Sequence, residues 1–255
     1  MSNLNLITMA STSETGNVKN IAAFKELLSI CVDLGAGYQP KKAILQISYL
    51  NGVISNTNNA MMAWADLKGK YQKNVDDCEI VFNELKLLAP QVIGALKSSD
   101  ATEEVVETAM GWYRRFLPKP KPKKKKGETS TDGKKPRSIS TSHQSRVKLI
   151  ETFTGLVTAV SKEPSYDPNE PFLKIMALRT FQIKMQTVHD AVMTSLVAER
   201  GSRAIRDKNL YEEKTGLVAV GNAVKVYIQS AFAKNTQNHK RVDTVKFTNF
   251  KTVNT

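Results

Sequence analysis

Lysines and arginines crowded into one short stretch are the residues of this chain best suited to a chemical task. From Arg114 to Arg137, eleven basic residues face only Glu128 and Asp132, so +9 of the net charge of +13 sits in 24 residues. Lys119, Lys121, Lys123, Lys124, Lys125, Lys126, Lys134, Lys135 and Arg137 could bind a polyanion, because ammonium groups near phosphates release counterions and give salt-dependent, sequence-blind affinity. No aromatic residues interleave with them from 118 to 137 to stack single-stranded bases. A solubilising spacer is the plainer reading of the same lysines, and both stay open. A second set, Arg200, Arg203 and Arg206, recurs every third residue and could grip a phosphate or carboxylate. Its plain alternative is a solvated helix end with Glu212 and Glu213 nearby.

Other chemistry lacks its residues. The histidines are His143, His189 and His239. A di-iron bundle places Glu three residues before His, where this chain has Ser140, Gln186 and Thr236, so no metal centre of that type is expected. Gly35-Ala-Gly37 has Pro40 where a dinucleotide loop needs its third glycine, and a helix precedes it, which favours a helix C-terminal turn. No phosphate-binding loop, HExxH or GxSxG occurs. Cys31 and Cys78 fall on apolar stripes and read as buried structural thiols rather than nucleophiles or a disulfide framework. Together these predict a non-enzymatic protein without cofactor or metal. The start MSNLNLITMA carries no basic residue before an apolar run, and no stretch of 18 apolar residues occurs, so a cytoplasmic location without a transmembrane segment is expected.

The elements that hold these residues read as helices in two related halves. At an offset of 129, Val18, Ile21, Phe24, Leu27, Leu28 and Cys31 align with Val147, Ile150, Phe153, Leu156, Val157 and Val160, all apolar and all on one helical face. A turn follows in each, Tyr38-Gln-Pro40 and Tyr166-Asp-Pro168, at offset 128. Asp167-Pro168-Asn169-Glu170 has the form of a capping box and predicts a helix start. The same offset then pairs Ile44, Ile47, Leu50, Val53, Thr57, Ala60 and Trp64 with Phe172, Ile175, Leu178, Phe181, Met185, Val188 and Val192, a predicted helix of about 25–30 residues. A third predicted helix aligns Val75 to Leu96 with Leu210 to Ala231 at offset 135, with Pro90 expected to kink the first copy. The first half adds a fourth helix from near Asp100. The second half has a tail instead, in which Val245-Lys-Phe247 alternates like an extended segment and Phe250 is a candidate anchor.

The predicted organisation is all-α: a flexible N-terminus at 1–16, a helical bundle at 17–117, a disordered Lys/Pro-rich linker at 118–144, a second bundle at 145–235 and a tail at 236–255. The two antiparallel bundles read as a tandem duplication. The segments YDPNEPFLK, RAIRDKNLY, TGLVAVGNAVKVYIQSAF and VKF, between Tyr166 and Phe247, resemble an uncharacterised family of helical proteins of Bacteroidetes-type bacteria. That resemblance implies a helical fold and no particular activity or cofactor. Repeats without catalytic groups point to a scaffold that binds protein partners or copies of itself, with nucleic-acid association through the linker as the alternative.

Overall fold

The computed structural model describes residues 12–117 and 145–248, and among these residues the chain is helical with no strand. In chain order the helices are α1 (Thr12–Asp33), α2 (Ile47–Lys97), α3 (Glu103–Tyr113), α4 (Arg146–Ser161), α5 (Ile175–Tyr211), α6 (Leu217–Ala231) and α7 (Gln237–Thr244). Short 3-10 turns at Gly35–Gly37, Ala43–Leu45 and Pro171–Leu173 punctuate the connections. Glycine is needed at Gly35, whose φ of 49° lies in the left-handed region, and the turn after α1 is the one predicted there.

Several boundaries differ from expectation. The second and third helices of the first half are one 51-residue helix, α2, which runs through Pro90. In the second half the corresponding stretch is broken at 212–216, between α5 and α6. The predicted capping box at 167–170 does not start a helix. Glu170 precedes a 3-10 turn without a side-chain cap, and α5 begins only at Ile175. At 236–255 the expected tail contains α7, whose Thr236 hydroxyl accepts from His239 N at 3.4 Å, and Val242 and Val245 are buried. The backbone at Val245 is extended, as the alternation there predicts, without pairing into a strand, and Phe247 lies against Gly221, where any Cβ would come within 2.5 Å of its ring. Phe250 lies outside the described residues, as does the linker 118–144. Helix α1 begins at Thr12, inside the expected flexible N-terminus.

Two compact units emerge, and they do not follow the two chain halves expected at 17–117 and 145–235. Among the described residues, one comprises 12–70 with 196–248, the other 71–117 with 145–195. The physical reason lies in α2 and α5, each of which gives its first segment to one unit and its second to the other. Each unit is therefore built from both halves of the sequence. In the first, Phe24, Leu27 and Cys31 of α1 pack with Leu217, Val220, Val224 and Ile228 of α6. In the second, Phe153, Leu156 and Val160 of α4 pack with Phe82, Leu85, Ala89 and Val92 of α2 and Leu178 and Met185 of α5. Phe153 meets Phe181 edge-on, with ring centroids 5.5 Å apart.

A local feature recurs in both units. The Tyr38 hydroxyl donates to the Leu45 carbonyl at 2.6 Å and the Tyr166 hydroxyl to that of Leu173 at 3.0 Å, each seven residues on, across 3-10 turns placed 128 residues apart. Burial, together with the nearby Glu170 charge, pushes Tyr166 up from 10.0 to about 12. A raised tyrosine favours the fold fully below its unfolded value and loses that contribution as pH climbs from 10 towards 12. Tyr166→Phe is expected to cost about 1 kcal/mol at neutral pH and to make the alkaline loss of stability shallower. Urea unfolding at neutral pH and at about pH 11 reads both effects, and an alkaline loss equal to that of the unmodified chain contradicts this assignment.

Candidate functional site

The basic residues from Lys119 to Arg137 all lie outside the described residues, as does His143. Arg200, Arg203 and Arg206 stand on the second segment of α5 and do not act together. Arg200 is exposed. Arg203 donates through Nε and Nη2 to Glu199 Oε1 at 3.1 and 2.7 Å. Arg206 donates through Nε and Nη2 to Asp207 Oδ1 at 2.9 and 2.6 Å. The carboxylates that meet these guanidinium groups are thus Glu199 and Asp207, not Glu212 and Glu213.

Glu199 and Arg206 are buried, at 2% and 8% exposure, an unusual position for charged side chains. The Trp64 indole of α2 connects them: its Nε1 donates to Glu199 Oε1 at 2.9 Å, while the Arg206 guanidinium lies over its ring at 4.1 Å. Burial raises the Glu199 carboxyl, but hydrogen bonds from Trp64 and Arg203 and the charges of Arg203 and Arg206 outweigh it and hold the group below its ordinary value. Further along α5, the Tyr211 hydroxyl donates to Asn17 Oδ1 at 2.5 Å. Asn20 Nδ2 donates to the Thr248 carbonyl at 2.9 Å, and Thr248 N donates to Asn20 Oδ1 at 2.8 Å. Asn17 and Asn20 are themselves buried. In this unit, then, polar side chains join α1, the first segment of α2, the second segment of α5 and the end of the described chain.

No family model, curated protein or solved structure matches this chain.

The thiols offer little reactivity. Burial pushes Cys31 up from 9.0 to about 11 and also raises Cys78, which leaves both as neutral thiols at neutral pH. His189 is half-buried on α5, and His239 on α7 has Nδ1 3.2 Å from Asp243 Oδ2. Among the described residues no group of three or more His, Cys, Asp and Glu converges, and no helix is long and apolar enough to cross a membrane.

One further surface was not foreseen. Within the second unit, α5 buries Leu178, Met185 and Val192, while Met176 and Ile183 point outward at 72% and 66% exposure. Between and after them stand Thr180 and Thr187, whose hydroxyls donate back to the carbonyls of Met176 and Ile183 at 2.9 Å each. Tying those hydroxyls to the helix backbone leaves the threonine methyl groups as the outward chemistry. The flanking Lys184 is engaged by Glu84 at 2.8 Å and Gln186 by Asp190 at 2.9 Å. The 4, 3, 4 spacing of Met176, Thr180, Ile183 and Thr187 was visible in the sequence, out of phase with the core stripe.

Proposed function

We propose that this chain is a non-enzymatic cytoplasmic binding or scaffold protein, derived by tandem duplication of a helical unit, that offers helix faces to protein partners or to a second copy of itself. The outward face of α5 carries this reading, because an apolar strip on a water-facing helix is the form of a helix-packing interface rather than of a solvated surface. The paired Tyr38 and Tyr166 hydrogen bonds support the duplication. Light scattering on the eluting full-length protein, with identification of whatever copurifies, tests the function. An oligomer or a defined partner is expected, and Ile183→Lys with Met176→Lys should abolish it while leaving helicity unchanged. A monomer that retains no partner overturns the reading.

The charge of +9 between Arg114 and Arg137 favours a second reading, sequence-nonspecific contact with nucleic-acid phosphates. On that reading Lys123, Lys124, Lys125 and Lys126 replaced by Gln weaken DNA or RNA binding and flatten its salt dependence, whereas the α5 substitutions leave it unchanged.

A further inference from the structure

The second unit contains an open, solvent-facing cavity of about 610 Å³ between the C-terminal end of α2 and the loop that leads into α5. That volume suits a small organic molecule or a single large side chain. Its place in the fold has a counterpart in the first unit. There, α6 occupies the position of the end of α2: Leu217, Val220 and Val224 match the buried Phe82, Leu85 and Ala89 at a constant offset of 135. The loop through Tyr38 matches the loop through Tyr166, with the same tyrosine-to-carbonyl hydrogen bond.

The first unit fills this place with its own chain. Phe232, just past the end of α6, sits against Gly37 so closely that a Cβ there would lie 3.3 Å from Cζ of the ring. At the offset of 135 the second unit has Lys97 in place of Phe232, followed by Ser98 and Ser99, and at 128 it has Ser165 in place of Gly37. Ser165 Oγ reaches Ser99 Oγ at 3.4 Å, and both line the cavity. Where one unit has a phenyl ring, the other has a space walled by hydroxyls.

The walls select by charge. Asp167 and Glu170 line the cavity, and no lysine or arginine is among its lining residues. The corresponding loop positions of the first unit hold Gln39 and Lys42. Ser98 and Ser99 donate their hydroxyl hydrogens to the carbonyls of Ala95 and Leu96 at 2.9 and 2.8 Å, which leaves their lone pairs as acceptors. Leu173 and Phe172 supply apolar surface beside them. A cavity that offers acceptors, carboxylates and a hydrocarbon wall matches a group with several N–H donors, a positive charge and an apolar body.

We propose that this cavity binds an alkylammonium or guanidinium group carried on an aliphatic or aromatic body. Such a group comes either from a free small amine or from a lysine or arginine side chain of a partner protein. Isothermal titration of the full chain with agmatine and phenethylamine, and separately with a short capped peptide containing one arginine, tests it and tells the sources apart. Saturable binding is expected for at least one of these, and none for phenethyl alcohol, which keeps the ring and lacks the charge. Tighter binding of the free amines assigns a small molecule, and tighter binding of the peptide assigns a partner chain. Asp167→Asn with Glu170→Gln, on an exposed loop, should weaken binding by about tenfold. Ser98→Phe, which puts a ring among the lining residues, should remove binding with the charges intact. Failure of every amine to bind, equal binding of the alcohol, or undiminished binding by Ser98→Phe overturns the proposal. The α5 substitutions lie outside the cavity lining, so failure here is distinct from failure of the scaffold reading.

Discussion

Replacing Glu199 with alanine is expected to lower the free energy of unfolding by about 1–3 kcal/mol, the cost of leaving a buried donor without its acceptor. The loss is large because three donations end on Glu199 Oε1, from Trp64 Nε1 and from Nε and Nη2 of Arg203, and because the buried Arg206 lies over the same indole. Alanine strands the buried indole N–H and removes the carboxylate that Arg203 meets, while Arg206 keeps Asp207. Glu199→Gln, which keeps an acceptor for Trp64 but loses the charge opposite the half-exposed Arg203, should cost less, about 1 kcal/mol or below. The pH dependence follows from the lowered carboxyl: its contribution is present above the ordinary value of 4.5 and is lost as pH falls through the folded-state value. Urea unfolding at neutral pH and near pH 3 measures both arms. A cost below about 1 kcal/mol for Glu199→Ala, the range of exposed ion pairs, shows that the cluster behaves as surface.

This cluster was within reach of the sequence, one step beyond where the apolar stripe was followed. Leu178, Met185 and Val192 recur every seventh residue on the buried side of α5, and the next two positions in that series are Glu199 and Arg206. Charged residues on a buried stripe signal a satisfied polar network, and their partner, Trp64, lies on the matching stripe of α2. Asn17 and Asn20 extend the stripe of Phe24 backwards in the same manner. The helical class and the buried faces were legible because period 3.6 reports which side of a helix avoids water.

Periodicity does not report which helix supplies the other side. The allocation of helices to units depended on whether each helix continues or breaks. Nothing between Trp64 and Val75 stops a helix, so α2 runs on, whereas Gly216 closes a turn so tight that a Cβ would lie 2.4 Å from Glu212 N. The first half therefore sends its second long segment into one unit, and the second half sends α6 into the other. The outward α5 face went unread for a different reason: threonine counts as polar in composition, although its hydroxyl is satisfied within the helix when it donates to the carbonyl four residues back.

The interleaving yields the other large expected effect. Phe24 and Phe153 are buried at 1% and 0% exposure, and truncation of either to alanine should cost about 3–5 kcal/mol through lost transfer energy and the cavity left behind. What distinguishes the two is where protection against amide exchange falls. Phe24→Ala is expected to accelerate exchange in α1 and also in α6 and α7, which come from the opposite half of the sequence but share its core. Phe153→Ala should instead loosen α4 together with α3 and the 71–97 segment of α2. Were the chain halves the packing units, Phe24→Ala would weaken 71–97 and spare 217–231. Hydrogen exchange read by mass spectrometry on both variants resolves these patterns, because peptides from 71–97 and 217–231 move in opposite senses under the two arrangements. Loss of protection confined to residues 17–117 in the Phe24 variant contradicts the unit boundaries described above.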